Sequence, residues 1–132
     1  MKLAGVMKPA EAGKEVFWSA TVLPLRRAKD IVPFLMLSMK VARQIRQAPG
    51  AVRYAIMTDL PKKHFWTLSV WEDKKSVQAF VQSEPHATAV KKFAQWAGEG
   101  AAFAEWNGPD KQIDWKEALQ KLEKPSFSYS KK

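Results

Sequence analysis

Two nearly identical phrases occur in this chain of 132 residues: FWSATV at residues 17–22 and FWTLSV at residues 65–70. In each phrase, aromatic and aliphatic residues alternate with serine or threonine, and this period of two is typical of a β-strand. A chain of this length suits a single domain with one core. The repeat therefore predicts a domain built from two similar halves, each of which begins with the same strand.

A helix is predicted after the first copy, because apolar residues recur at spacings of three and four between Ile31 and Ile45. Asp30 is the predicted N-cap of this helix. The helix is expected to end near Pro49-Gly50, and residues 51–59 then alternate as a second strand.

After the second copy, Glu72-Asp73 is predicted to open another helix, which carries Phe80 inward. Ser83-Glu84-Pro85 interrupts this helix and starts a further segment. Residues 101–107 supply the fourth strand. The inward positions of the further segment are predicted to be Val90, Phe93, Ala94 and Ala97.

The order β-α-β, β-α-β predicts an α+β fold of the ferredoxin-like split β-α-β type, a four-stranded antiparallel sheet with its helices on one face. The strands carry large apolar residues on both faces, including Trp18, Trp66 and Trp106. We therefore expect the face without helices to be covered by the same sheet of a second subunit, which makes a homodimeric α/β barrel.

Three segments are predicted along the chain. Residues 1–15 form a flexible N-terminal arm, residues 16–108 form the ferredoxin-like domain, and residues 109–132 form a C-terminal extension. The extension contains a short predicted helix with an apolar stripe at Trp115, Leu119 and Leu122, and this helix is expected to brace the dimer.

The composition argues against several classes of protein. The chain has no cysteine and only two histidines, His64 and His86, so no metal site is predicted. The longest apolar run, Ile31 to Met39, is far shorter than the roughly 20 residues that cross a membrane. The first fifteen residues lack the apolar core of a signal peptide, so a cytoplasmic protein with no membrane partner is expected.

The positive charge is concentrated in the first half of the chain. Residues 1–63 contain 12 Lys and Arg against 4 Asp and Glu, whereas residues 64–132 contain 10 against 9. A nucleic-acid groove and a solvated helix face both fit this bias. The second interpretation is preferred, so nucleic acid is not an expected partner; binding of small anions is compatible with both.

Residues 64–93, HFWTLSVWEDKKSVQAFVQSEPHATAVKKF, resemble a known family in one motif. A strand ending in Val-Trp-Glu passes into a helix that contains Ala-Phe and then Ser-x-x-His. This resembles the antibiotic biosynthesis monooxygenase-like and spheroidene monooxygenase-like proteins of the dimeric α/β-barrel superfamily, and the likeness extends more loosely over residues 16–107. It implies a pocket between helices and sheet for a flat aromatic or polyketide-like small molecule, with no cofactor in some members and haem in others.

His86 is the residue best suited to chemistry in this chain. Helical spacing places it on the inward stripe of its segment, where it could serve as a general base or as an axial ligand of haem. The alternative is that it packs at the Ser83-Glu84-Pro85 break with its nitrogen satisfied locally. The predicted lining of the substrate pocket is Trp18, Tyr54, Trp66, Phe80 and Trp106, and ordinary core packing is the alternative for each of them.

The resemblance also bears on haem. In the haem-degrading branch, an Asn in the first strand, a Trp and a His carry the function, but the single Asn of this chain is Asn107. Phe80 stands near the Trp position and Val90 near the His position. Two functions therefore remain: a cofactor-free monooxygenase, and a non-catalytic dimer that binds haem or another hydrophobic ligand.

Overall fold

The computed structural model describes residues 2–129, with the backbone alone for residues 127–129. Residue 1 of the predicted arm and residues 130–132 of the predicted extension lie outside the described residues. The elements in chain order are β1 (Lys2–Val6), β2 (Glu15–Pro24), α1 (Ile31–Gln47), β3 (Ala51–Asp59), β4 (His64–Trp71), α2 (Lys74–Gln82), α3 (His86–Trp96), β5 (Ala101–Pro109), α4 (Trp115–Glu123) and β6 (Phe127–Tyr129).

The strands form one antiparallel sheet in the order β1-β3-β4-β2-β5-β6. Its four central strands and the helices that connect them have the ferredoxin-like arrangement, which confirms the predicted fold class. The sheet has six strands where four were predicted, because β1 and β6 add one strand at each edge. Among the described residues, no helix has the length and apolar character that a membrane crossing requires.

The two copies of the repeated phrase lie side by side at the centre of the sheet. β2 and β4 pair so that Ala20 is opposite Leu68, Phe17 is opposite Trp71, and Leu23 is opposite Phe65. A twofold rotation about an axis midway between Ala20 and Leu68 exchanges the pair Phe17–Trp71 with the pair Phe65–Leu23. The sequence repeat therefore corresponds to a local twofold in the strand register.

Two separate clusters bury the sheet face that carries α1, α2 and α3. The first cluster surrounds Trp71 and the second surrounds Phe65. The buried members of the first are Phe17, Ile45, Ala51, Tyr54, Trp71, Val77 and Phe80; those of the second are Leu25, Phe34 and Phe65. The core on this side is thus divided in two along the strands.

The rotation of α3 differs from the prediction. Val90 is 45% exposed and Ala94 is also exposed, whereas Phe93 packs inward. Phe34 determines this rotation, because its ring contacts both Phe93 and Trp96, with centroid distances of 6.2 and 6.4 Å. Two large aromatic rings bury more apolar area than Val90 and Ala94 would.

The opposite face of the sheet is partly covered by α4, the chain's own C-terminal helix. Asp114 caps this helix by accepting hydrogen bonds from the backbone of Lys116 and Glu117. Ala118 is fully buried against a cluster that includes Trp18, while Trp106, Trp115 and Leu122 pack at its border. For this half of the sheet, the chain's own extension therefore supplies the apolar layer that was expected from a second subunit.

The first residues of the chain form an edge strand instead of the flexible arm that was predicted for them. β1 pairs with β3 from Lys2 opposite Met57 to Val6 opposite Arg53. The ring of Tyr54 lies directly against Gly5 and occupies the place that a Cβ atom at this position would need. The missing side chain lets β1 approach β3 closely at this point.

A buried ion pair joins three parts of the chain. Arg53 on β3 and Asp110, just after β5, form a salt bridge in which each side chain is only 3% exposed. Arg53 also donates to the Lys8 carbonyl at 3.0 Å, and Asp110 accepts from the Glu11 backbone at 3.0 Å. The pair therefore attaches the segment between β1 and β2 to the sheet.

We predict that Asp110→Asn lowers the free energy of unfolding by about 3–5 kcal/mol, because it leaves the Arg53 charge buried without a counter-charge. Glu117→Gln is the matched control, since it removes the Lys111–Glu117 pair, whose side chains are 40% and 32% exposed. That substitution should cost less than about 1 kcal/mol. Urea denaturation of both variants measures the difference, and equal losses would contradict the prediction.

Candidate active site

His86 is the first residue of α3, directly after Ser83-Glu84-Pro85. Its ring centroid lies 4.9 Å from that of Phe80, and its Nδ1 lies 3.3 Å from the Val81 carbonyl oxygen. Because a carbonyl oxygen can only accept, this contact assigns the hydrogen of the neutral imidazole to Nδ1 and the lone pair to Nε2. Nδ1 is thus hydrogen-bonded locally, as the packing interpretation of His86 predicts for one of its nitrogens.

Burial lowers the pKa of the His86 imidazole below its ordinary value of 6.5, and the hydrogen bond with the Val81 carbonyl opposes the shift. Removal from water disfavours the charged form of an imidazole, so the ring stays neutral at pH 7. A neutral imidazole with its lone pair on Nε2 can accept a proton from a bound molecule.

An aromatic wall, made of Trp71, Phe80 and His86, crosses from the sheet to the start of α3. The Phe80 ring lies between the other two, 5.0 Å from Trp71 and 4.9 Å from His86 by ring centroids. Trp71 is fully buried, and its Nε1 donates to the Ser69 hydroxyl at 2.8 Å. Because Trp71 and Phe80 are both buried, the wall is a packed aromatic layer that ends at the half-buried ring of His86.

A hydroxyl band, made of Ser19, Thr21, Thr67 and Ser69, occupies the middle of the same sheet face. The register pairs Ser19 with Ser69 and Thr21 with Thr67. All four residues are half-buried, and the two threonine hydroxyls form a hydrogen bond with each other. The band lies between the two apolar clusters, so polar donors occur at the point where the helix-side core is interrupted.

Gln44 of α1 fixes the junction between α2 and α3. Its side-chain oxygen accepts from the His86 backbone at 2.8 Å, and its nitrogen donates to the carbonyls of Phe80 and Ser83 at 3.1 and 3.2 Å. These groups are at the end of one helix and the start of the next, where intrahelical partners are missing. Gln44 is therefore a positioning residue for His86 and Phe80.

Tyr54 belongs to the same cluster as the aromatic wall but is held by a different helix. Its hydroxyl accepts from Arg46 Nε at 2.9 Å, and the Arg46 guanidinium lies 5.7 Å from the centroid of its ring. This cation–π contact fixes the ring against α1 and β1.

The structure separates the six residues proposed from the sequence. Tyr54, Phe80 and His86 lie on the helix side of the sheet. Trp18 and Trp106 lie on the opposite face beneath α4, with nearly parallel rings whose centroids are 6.0 Å apart. The remaining residue, Trp66, pairs with Val22 and Met57 on that same opposite face. The three tryptophans and His86 therefore cannot line one pocket within a subunit.

The hydroxyl band, Trp71 and Gln44 were missed as site residues from the sequence. A signal existed for part of this set. Thr67, Ser69 and Trp71 follow Phe65 at intervals of two residues, so strand alternation places all four side chains on one face of the sheet. No local signal existed for Gln44, which contacts its partners across 36 to 42 positions of the chain. Among residues 2–129, no three His, Asp or Glu side chains come together as a possible metal site.

Residues 34–92 match the model of the protein family described as Antibiotic biosynthesis monooxygenase. This stretch runs from the first turn of α1 into α3 and includes Gln44, the aromatic wall and His86. The match confirms the resemblance that the sequence motif indicated. No curated protein sequence matches the chain.

Solved structures show the same fold at low sequence identity. A conserved protein from Methanosarcina mazei Go1 is 11% identical with a TM-score of 0.62, covering 73% of this chain and 93% of its own. An antibiotic biosynthesis monooxygenase is 14% identical with a TM-score of 0.62, covering 74% and 99%. SnoaB, a cofactor-independent oxygenase from Streptomyces nogalater, is 12% identical with a TM-score of 0.54, covering 76% and 97%.

We predict that the folded protein loses stability as the pH falls below about 6.5, and that His86→Gln reduces this loss. The unfolded imidazole takes up a proton near pH 6.5, whereas the folded one resists protonation because its pKa is lowered. The contribution of His86 to the free energy of unfolding is therefore fully present above pH 6.5 and decreases as the pH falls below that value. Urea denaturation between pH 5 and 8 tests this, and parallel curves for the two proteins would contradict it.

Proposed function

From the resemblance of this chain to the antibiotic biosynthesis monooxygenases, in sequence and in fold, we propose that it is a cofactor-independent monooxygenase of a flat aromatic or polyketide-like small molecule. The observation that carries the proposal is the neutral His86 imidazole, whose Nε2 is available next to the ring of Phe80. The substrate binds on the helix side of the sheet.

The aromatic wall positions the substrate. A flat ring system gains apolar burial and ring contacts against Phe80 and the adjoining His86. Because Gln44 holds the backbone of both residues, the wall is rigid at the point of contact. This preorganisation keeps an acidic C–H or O–H group of the substrate near Nε2.

His86 acts as the general base in this proposal. Its Nε2 takes a proton from the substrate and leaves an electron-rich carbanion or phenolate, which reacts with dioxygen. For a substrate methylene, the carbon becomes a carbonyl that keeps one atom of dioxygen. The other oxygen atom leaves as water together with the two methylene hydrogens. The oxidation of this carbon supplies all four electrons that dioxygen accepts.

The haem-degrading chemistry of the wider superfamily does not fit these residues. Val90, which stands near the expected His position, is 45% exposed on the outer side of α3. Phe80 takes the place of the expected Trp, and the first strand has no Asn. We therefore derive no step through haem.

We predict that His86→Ala lowers the rate of oxygen uptake by about 100-fold or more, the usual loss when a general base is removed. The assay uses a hydroxylated anthrone, a tricyclic compound with an acidic methylene, with spontaneous oxidation subtracted. Mass spectrometry with labelled dioxygen checks that one oxygen atom enters the product. In the wild type, the rate should fall on the acid side of pH 6.5 as His86 becomes protonated.

Two control variants accompany this assay: Val90→Ala on the exposed side of α3, and His64→Ala at the start of β4. Both should keep the wild-type rate. An unchanged rate in His86→Ala would exclude the proposed base. Binding of the anthrone without oxygen uptake in the wild type would favour a non-catalytic binding protein instead.

We also propose that the protein is a homodimer that pairs through the half of the sheet left uncovered by α4. Met57, Trp66 and Val22 form a cross-strand row there, and each of them is only half-buried. A contiguous apolar row of this kind is a usual site of self-association.

Light scattering should give twice the mass of the 15.0 kDa chain, and Trp66→Lys should reduce it to that of the monomer. Leu119→Lys is the control, because Leu119 lies on the exposed side of α4 and is 38% exposed. Circular dichroism checks that both variants are folded. A monomeric wild type would exclude this interface.

A further inference from the structure

A groove of about 880 Å³ lies between α1 and α2, on the outer side of the helix layer. Lys40, Arg43 and Gln44 line it from α1, at spacings of three and four that place them on one face of that helix. Ala79 and Phe80 line it from α2. A volume of this size is within the range of small-molecule sites, about 300–1,000 Å³.

Three cations line the groove. Within residues 2–129, the side chains of Lys40, Arg43 and Lys75 form no hydrogen bond or salt bridge. Like charges on a shared groove repel one another, so an anion placed among them is favoured. Two of the three belong to the basic first half of the chain.

The two acidic residues of the groove are engaged within their own helices. Asp73 accepts from the Ser76 backbone at 2.8 Å and from its hydroxyl at 2.7 Å. Glu84 accepts from the Thr88 backbone at 3.0 Å and from its hydroxyl at 2.6 Å. These hydrogen bonds lower the pKa of both carboxyls, and a single oxygen atom of each carboxylate accepts them. The charge of Lys75 also lowers the pKa of Asp73, but within residues 2–129 neither carboxylate forms a salt bridge with the three cations.

Part of the remaining surface of the groove is apolar. Pro49, Ala79 and Phe80 provide it, and Phe80 is the same residue whose ring contacts His86. A ligand that satisfies the whole groove therefore needs an anionic group for the cations and a flat apolar body for this surface.

We propose that the groove between α1 and α2 is a second ligand site, distinct from the hydroxyl band, that binds a small aromatic acid. The acid group, a carboxylate, sulfonate or phosphate, pairs with Lys40 and Arg43 on one side and with Lys75 on the other. The aromatic body packs on Ala79 and Phe80. Gln44 and Phe80 connect this site to the backbone and ring of His86.

The test is a titration of the ¹⁵N-labelled protein with 2-naphthoate, followed by NMR, with uncharged 2-naphthamide as the matched ligand. We expect shifts confined to residues 40–49 and 73–85, and weaker binding of the amide. The double variant Lys40→Gln/Arg43→Gln should weaken naphthoate binding about tenfold, the effect of two exposed charge contacts. Because it measures no oxygen uptake, the test is independent of the proposed reaction.

The control double variant is Lys116→Gln/Lys124→Gln at α4, on the other side of the sheet, where the same change of net charge occurs away from the groove. It should bind naphthoate like the wild type. Equal weakening in both double variants would show a general charge effect and overturn the proposal. Shifts at the hydroxyl band instead of the groove, or none at millimolar ligand, would overturn it as well.

Discussion

The fold depends on two adjacent central strands, β2 and β4, that are apolar on both faces. Phe17 and Trp71 face the helices, while Trp18 and Val70 face the other way. A strand pair of this kind is stable only when a layer covers each face, because exposed aromatic surface costs free energy in water. The helices α1, α2 and α3 cover one face, and the C-terminal helix α4 covers half of the other.

The candidate site arises where this burial is incomplete. The helix-side core is divided into two apolar clusters, and the hydroxyl band lies between them. His86 borders one cluster, so that it is dry enough for its pKa to fall while Nε2 stays available. Gln44 maintains this arrangement by satisfying polar groups at two helix ends at once. Half-buried polar groups beside an apolar cluster, held by specific hydrogen bonds, are a usual setting for a ligand site.

Much of the fold could be predicted because its signals are local. Period-two alternation located the central strands, and apolar spacings of three and four located α1 and the helical pair after β4. The site was predicted only in part. Tyr54, Phe80 and His86 share one face, whereas Trp18, Trp66 and Trp106 lie on the other. Alternation shows that a strand has two faces, but it does not show which of them the helices cover.

The repeat, the type of most elements and the family resemblance could all be predicted from local patterns, since each depends on residues that are neighbours along the chain. The other features depend on tertiary contacts. The tertiary structure pairs Arg53 with Asp110 across 57 positions, brings Gln44 to His86 across 42, and lays α4 on the sheet. These contacts join residues far apart in sequence, and their formation depends on strand register and close packing, which no local pattern encodes.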